Sequence, residues 1–286
     1  MESESKQSQS TVARLFDVLE TLAGAPHPMT LAELGDATDI PKASLHRILQ
    51  LVQARGYVTQ EDQGGRYAAG IRCFELGAMW AENLDIRATA APHLQALNQL
   101  TQETVHLGVY EHGDVVYVDR LESPLQVVAK TYIGRRSPAT QVSTGRALLA
   151  YRETSEIERV LAGPLPAYTD LTVTDPDELR QILSTVREDG YAINLGNYRT
   201  EVCGVAAPVR DHTGGVVAAI GICTPLHRFG DDRIGELRDA AVRTAVEIST
   251  ALGGPTMPVT STKPAVAQAE KPAKKPQKKK TASARR

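Results

Sequence analysis

The chain has 286 residues, a formal net charge of -2, 42% hydrophobic and 23% charged residues, the balance of a soluble globular protein with room for about two domains. These figures exclude a wholly disordered chain and a small disulfide scaffold, and the longest apolar runs, such as 216–220, fall far short of the roughly 20 residues of a membrane span. Three cysteines, Cys73, Cys203 and Cys223, lack C-x-x-C spacing and write neither a disulfide framework nor a zinc cluster.

Residues 1–10 are polar with no apolar core, so they are expected to be a disordered start and not a secretory signal, which places the protein in the cytoplasm. Charge is unevenly divided along the chain. From Pro255 onward nine Lys or Arg face one acid, Glu270, so the tail carries +8 and the first 254 residues -10. The stretch 255–286 has no aromatic residue and is expected to be a disordered basic tail whose natural partner is a polyanion.

Residues 11–71 read as helix, helix, helix, hairpin. Val12, Leu15, Phe16, Leu19 and Leu22 fall at helical spacing, and Gly24 to Pro28 end that helix. Thr30-Leu-Ala-Glu33 is a capping box that starts a second helix carrying Leu31 and Leu34 inward. Pro41 suits the first turn of a third, whose apolar stripe is Leu45, Ile48, Leu49 and Val52, closed by Gly56. Opposite that stripe lie Ala43, Arg47 and Gln50, with Ser44 and His46 on the flanks. No acid occurs between Ile40 and Gln60, so basic charge is concentrated there. Two extended runs, 57–60 and 66–68, joined by Glu61-Asp-Gln-Gly-Gly65, complete the layout of a winged helix-turn-helix, whose third helix enters the major groove of DNA while the wing touches flanking backbone.

A linker helix with Phe74, Leu76, Met79 and Trp80 is expected over 72–84 and offers a dimer contact. A second, larger domain, 85–254, follows. It opens with a helix over 86–102 capped by Asp85, which buries Leu94, Leu97 and Leu100 and is bent or divided at Pro92. Period-two apolar runs predict strands at 105–110, 115–119, 126–131, 191–194, 203–209 and 216–222. A helix is expected over 144–153. Asp175-Pro176 opens another that Gly190 ends, and Ile234, Leu237, Ala241, Ala245 and Ile248 mark a closing helix. Strands broken by helices, with hairpins in place of regular βαβ alternation, predict a mainly antiparallel α+β domain, one side of which covers a ligand pocket.

The order of these motifs resembles IclR-type bacterial transcriptional regulators from about residue 12 to 252. Ile40-Pro-Lys-Ala-Ser-Leu-His-Arg-Ile-Leu49 is similar to the family's recognition helix, and Gly190-Tyr through Val205-Ala-Ala-Pro-Val209 to its effector domain. The resemblance implies an α+β protein with an N-terminal winged helix-turn-helix, a linker helix and a GAF-like C-terminal domain that binds a small molecule, often a carboxylate or an aromatic catabolite. It implies DNA contacts at Lys42, Ala43, Ser44, His46 and Arg47, with Arg66 on the wing. Arg47 also qualifies on its own chemistry, as a five-donor fork on an exposed face, where the plain alternative is a solvated arginine. For His46 the alternative is a half-buried structural histidine.

The same resemblance places the effector contacts at Ser137, Ser143, Thr144, Asn194, Gly204, Gly221 and Cys223. Hydroxyls and N–H groups at a helix start suit a carboxylate at Ser143 and Thr144, unless the two residues only cap a helix through 147–151. Asn194 stands where the family often has an acid, and Gly204 where Cys or Ser is common, so the pocket is expected to be enlarged and its ligand bulkier than a small keto acid or differently polarised. Arg135-Arg136 is read either as balancing an anion or as a solvated face. Double-stranded operator DNA, a small-molecule effector such as an organic acid, and a second copy of the chain as homodimer or homotetramer are the implied partners. No membrane partner is implied.

Two other functions compete. An enzyme would need a nucleophile elbow, a P-loop, a zinc-protease motif or a dinucleotide fingerprint, and none is present. No cofactor is implied. The seven histidines are scattered, and His106 and His112 read as surface or core-edge residues, with no metal ligand set. An architectural DNA-binding protein would use the lysine-rich tail for sequence-independent affinity. The preferred reading makes the tail an accessory to a specific regulator, and the plain one a solvated appendage. Repression is the commoner family role, and the sequence names neither operator nor effector.

Overall fold

The computed structural model describes residues 11–61, 65–82, 85–129 and 131–255. The expected disordered start at 1–10, the centre of the wing turn and nearly all of the basic tail lie outside them. The chain divides into two compact units, with the boundary between residues 84 and 85.

In the first unit, α1 (Thr11–Gly24), α2 (Leu31–Thr38) and α3 (Lys42–Gln53) precede a hairpin of β1 (Val58–Gln60) and β2 (Tyr67–Ala69), and α4 (Ile71–Glu82) follows. Its core joins Val18 and Leu22 of α1, Leu34 of α2 and the expected Leu45, Ile48, Leu49 and Val52 of α3. Val12 and Phe16, assigned to the apolar face from spacing alone, are exposed; the buried stripe runs one step round the helix, through Leu15, Val18, Leu19 and Leu22. The capping box forms as read. Thr30 Oγ1 accepts from Glu33 N at 3.2 Å, and Thr30 N donates to Glu33 Oε2 at 2.7 Å. Met29 exchanges two backbone hydrogen bonds with Tyr67, so the wing is anchored to the connection between α1 and α2.

The second unit starts with α5 (Asp85–Thr101), one helix despite Pro92. Ala90, Leu94, Leu97 and Thr101 are buried, while Leu100, expected inside, is exposed because the i, i+3, i+4 stripe reaches Thr101 instead. Six strands form one antiparallel sheet in the order β5-β4-β3-β8-β7-β6. Their ranges are β3 (Thr104–Glu111), β4 (Asp114–Leu121), β5 (Arg136–Pro138), β6 (Ala192–Leu195), β7 (Val202–Arg210) and β8 (Val216–Pro225).

The strand expected at 126–131 is not formed at 126–129 or 131, and Lys130 lies outside the described residues. The edge it would need is taken, since β4 pairs with β5 through Asp114–Pro138, Val115–Ser137 and Val116–Arg136, and Tyr117 bonds on to Gly134 and Arg135. The local backbone is diverted into turn bonds instead, with Leu125 N donating to Ser123 Oγ at 3.2 Å.

Between β5 and β6 lie α6 (Ser143–Leu149), α7 (Thr154–Leu161) and α8 (Pro176–Asp189), and α9 (Asp231–Ala251) closes the unit. The helix expected over 144–153 is α6 alone and ends at Leu149, while α7 lies wholly beyond the expected range. Asp175 caps α8 by accepting from Asp177 N and Glu178 N, and Gly190 ends it in the left-handed conformation. Along β7 residues 203–207 are all buried, which requires cover on both faces. α6 and α8 pack on the face bearing Ala192, Ala206 and Ala219, and α5 and α9 pair together against β3 and β7.

Candidate functional site

Two sites emerge, one in each unit. In the first, the buried stripe of α3 turns its opposite side outward. Lys42, Ala43, His46, Arg47 and Gln50 are exposed and Ser44 is half-buried. His46 is therefore a surface side chain, not a half-buried one. Among the described residues no ion pair is recorded for Lys42 or Arg47, so their donors remain available to an outside anion. Arg66 behaves differently. Its Nη1 donates to Pro28 O at 3.0 Å and lies 3.2 Å from Glu33 Oε2. Arg66 therefore ties the wing to the start of α2 while staying two-fifths exposed.

In the second unit a cleft of about 670 Å³, including its open mouth, lies between α6, the sheet and the segment ahead of β5. That volume is ordinary for a small-molecule site. Six of the seven expected effector residues line it: Ser137, Ser143, Thr144, Asn194, Gly204 and Cys223. They arrive from five elements, β5, α6, β6, β7 and β8. A buried arginine holds two of these together. Arg146 Nε donates to Thr140 O at 2.8 Å and Nη1 to Ile193 O at 3.0 Å, so α6 is fixed to the strand that carries Asn194. Burial lowers the Arg146 pKa to about 10.

The seventh residue, Gly221, is not a wall residue but lies beneath one. A Cβ there would fall 2.3 Å from His106 Nε2 and 2.4 Å from Thr144 Oγ1, which the glycine allows to meet at 2.7 Å. Gly204 plays a similar part. Its Cβ would fall 2.8 Å from Ile222 O and 3.0 Å from Ser143 Oγ, so the missing side chain makes room for a hydroxyl and a neighbouring strand. The expectation that it simply enlarges the pocket is corrected on that point. α6 begins at Ser143 with Val142 ahead of it and no side-chain cap, so Ser143 and Thr144 do not cap a later helix. Asn194 is partly engaged, its Oδ1 accepting from Asn197 N at 2.9 Å.

His106 is the residue that sequence reasoning misplaced. It is 4% exposed, lines the cleft and meets the Tyr117 ring edge-on at 4.7 Å. Burial pushes its pKa down to about 3, so the ring is neutral at physiological pH, and Nδ1 has no hydrogen-bond partner. A signal existed in the alternation of β3. Residues 106 and 108 share the face opposite Val105 and Leu107, and a Cβ on Gly108 would touch Thr144. His112 is an exposed turn residue beside Glu111.

The charged part of the wall is at its exposed rim. Arg135, Arg136 and Arg199 line the cleft, and Asp, Glu and Lys are absent from its described lining. Arg120 and Arg135 stack on the Tyr132 ring at 5.7 and 5.1 Å, and Arg199 on Tyr198 at 5.8 Å. Arg136 lies 3.7 Å from Asp114, whereas no carboxylate partner is recorded for Arg135 among the described residues. The buried wall is neutral. Burial pushes the Cys223 thiol and the Tyr117 hydroxyl each up to about 12, and among the described residues no three His, Cys, Asp or Glu gather as a metal set.

Comparison with known proteins matches each of the two units to a domain of one family. Residues 11–62 match the IclR helix-turn-helix domain and residues 78–250 the bacterial transcriptional regulator IclR C-terminal domain. The HTH-type transcriptional regulator KdgR of Escherichia coli is 32% identical over 86% of this chain and 94% of its own. The transcriptional repressor IclR of the same organism is 27% identical over 85% and 90%. The crystal structure of an IclR homologue complexed with 4-hydroxybenzoate, from Microbacterium hydrocarbonoxydans, superposes with a TM-score of 0.74 at 31% identity over 85% of this chain and 99% of that one. These relatives are regulators, not enzymes. The chain belongs to the IclR family of bacterial transcriptional regulators, DNA-binding proteins controlled by a small-molecule effector.

Proposed function

We propose that the protein is a cytoplasmic repressor that leaves its operator when an organic anion occupies the cleft of its second unit. The carrying observation is the composition of the wall, three rim arginines with no acid among the described lining residues, which favours an anion. The complex of the Microbacterium homologue with 4-hydroxybenzoate supports an aromatic acid as the first class to try. Arg135 is the anion clamp in this reading. Ser137, Ser143, Thr144, Asn194 and Cys223 are contacts of the ligand body, while Gly204 and Gly221 provide the space behind them.

On the DNA side Arg47 and Lys42, with Ala43, Ser44 and His46, face the major groove. Arg66 orients the wing through Glu33 and Pro28 as well as facing backbone phosphate. Residues 11–71 form the reading domain, 72–84 the linker and 85–254 the effector domain. A homodimer or homotetramer is supported by apolar side chains left outside, Phe16 on α1 and Ile71 and Phe74 on α4, exposed by 56%, 69% and 71%. Effector binding shifts operator affinity by the difference in its affinity for the two assemblies.

The test is release of the full-length protein from DNA upstream of its own gene, read by fluorescence anisotropy, on addition of 4-hydroxybenzoate. Release is expected at millimolar ligand or below, with Arg135→Ala needing about tenfold more. An Arg135→Ala protein as sensitive as the parent contradicts the anion clamp.

A further inference from the structure

We propose that His106, with Thr144, is the specificity-determining element of the cleft: it selects an anion that also carries an uncharged hydroxyl, bound with the hydroxyl inward on this pair and the acid outward on the rim arginines. The inference rests on the reading of the cleft as an anion-binding effector site and adds to it the identity and orientation of the second functional group.

Three observations carry it. The wall is graded, with Arg135, Arg136, Arg199 and Tyr132 exposed and His106, Ser143 and Thr144 buried. A carboxylate driven to the buried end would leave its charge among neutral groups, at a desolvation cost that the rim avoids.

The second observation is the unfilled valence of the pair. His106 Nε2 and Thr144 Oγ1 are 2.7 Å apart, and His106 Nδ1 is buried without a partner. If Nε2 accepts from the threonine, Nδ1 carries a proton with no acceptor; if Nε2 donates, Nδ1 is an unused acceptor and the threonine hydroxyl keeps its own proton to give. Either tautomer leaves a polar group that a ligand hydroxyl, donor and acceptor at once, satisfies. A group of this kind is rarely left unmet in a folded protein without a role.

The third is the chain's own provision for the pair. Gly221 stands where any side chain would occupy the space in which His106 and Thr144 meet. Gly108, two residues along β3 from His106, lacks a Cβ that would fall 2.5 Å from Val115 Cγ2 and 2.9 Å from the methyl group of Thr144. Two glycines on neighbouring strands thus seat one polar contact at the buried end of the cleft.

The test is calorimetric titration of the full-length protein with 4-hydroxybenzoate and with benzoate, two probes of equal charge that differ by one hydroxyl. The parent is expected to favour 4-hydroxybenzoate by about tenfold or more. His106→Phe is expected to erase that preference, and His106→Gln, which keeps a donor and an acceptor, to retain part of it. If His106→Phe does not fold, Thr144→Val makes the same test from the other side of the contact. Equal affinity of the parent for both probes, or a preference surviving in folded His106→Phe or Thr144→Val, overturns the proposal and leaves the anion site standing. Binding of neither probe at millimolar concentration overturns the anion site, and the proposal with it.

Discussion

A methyl group at position 221 would lie within 2.4 Å of both His106 Nε2 and Thr144 Oγ1, a separation that no rotamer adjustment of a buried ring absorbs freely. Gly221→Ala is therefore expected to destabilise the second unit by about 1–3 kcal/mol and to abolish the response to effector, both read on the full chain by thermal unfolding with and without ligand. An unchanged melting profile would mean that the pair is not packed against β8 as described. His106 also gives the molecule an acid sensitivity. Its folded pKa is lowered from 6.5 to about 3 by burial, so between those values the unfolded chain binds more protons than the folded one. Stability contributed by the neutral ring is complete above pH 6.5 and declines as the pH falls toward 3. The unfolding midpoint in urea is expected to drop over that range in the parent, and less steeply in His106→Gln; parallel slopes would contradict the assignment.

At the scale of elements, the capping box at Thr30 joins helix formation to the DNA-reading surface. Glu33 accepts from Thr30 N and also receives Arg66 from the wing, so Thr30→Ala removes the hydroxyl that holds Glu33 N and loosens the seat of Arg66. The expected cost is about 1 kcal/mol of stability, with weaker operator binding; a stability change without any loss of binding would separate Arg66 from recognition. The four helices of the first unit and most of the sheet were legible because local rules decide them: the capping box, the α3 stripe, Asp175-Pro176 and the period-two apolar runs of the strands. The strand expected at 126–131 failed because pairing is a tertiary matter, and β4 had already been matched by Arg136–Pro138. The candidate site was half legible for the same reason. Ser137, Ser143, Thr144, Asn194, Gly204 and Cys223 followed from a family pattern, whereas His106 takes its meaning from Gly221 across the ladder, more than a hundred residues away. Arg66 was placed on the wing from sequence, but its bond to Pro28 depends on how the hairpin returns to α2.

For the whole molecule the division of charge matters more than its sum. Residues 255–286 carry +8 against -10 in the remainder, so the tail is expected to add affinity for any DNA. Deleting it should weaken binding to operator and random fragments alike and flatten the dependence of affinity on salt. Identical affinities at low salt would make it an appendage. Among the described residues no helix is long and apolar enough to cross a membrane. The central claim, that α3 reads a sequence under effector control, is tested most directly by binding of the full-length protein to DNA upstream of its own gene against a scrambled fragment, over a series of salt concentrations, with Arg47→Ala alongside. The account predicts a preference for the native fragment that survives moderate salt and is lost in Arg47→Ala, whose missing contact costs about 1–3 kcal/mol. Equal binding to both fragments, lost steeply as salt rises and unaffected by Arg47→Ala, would contradict it.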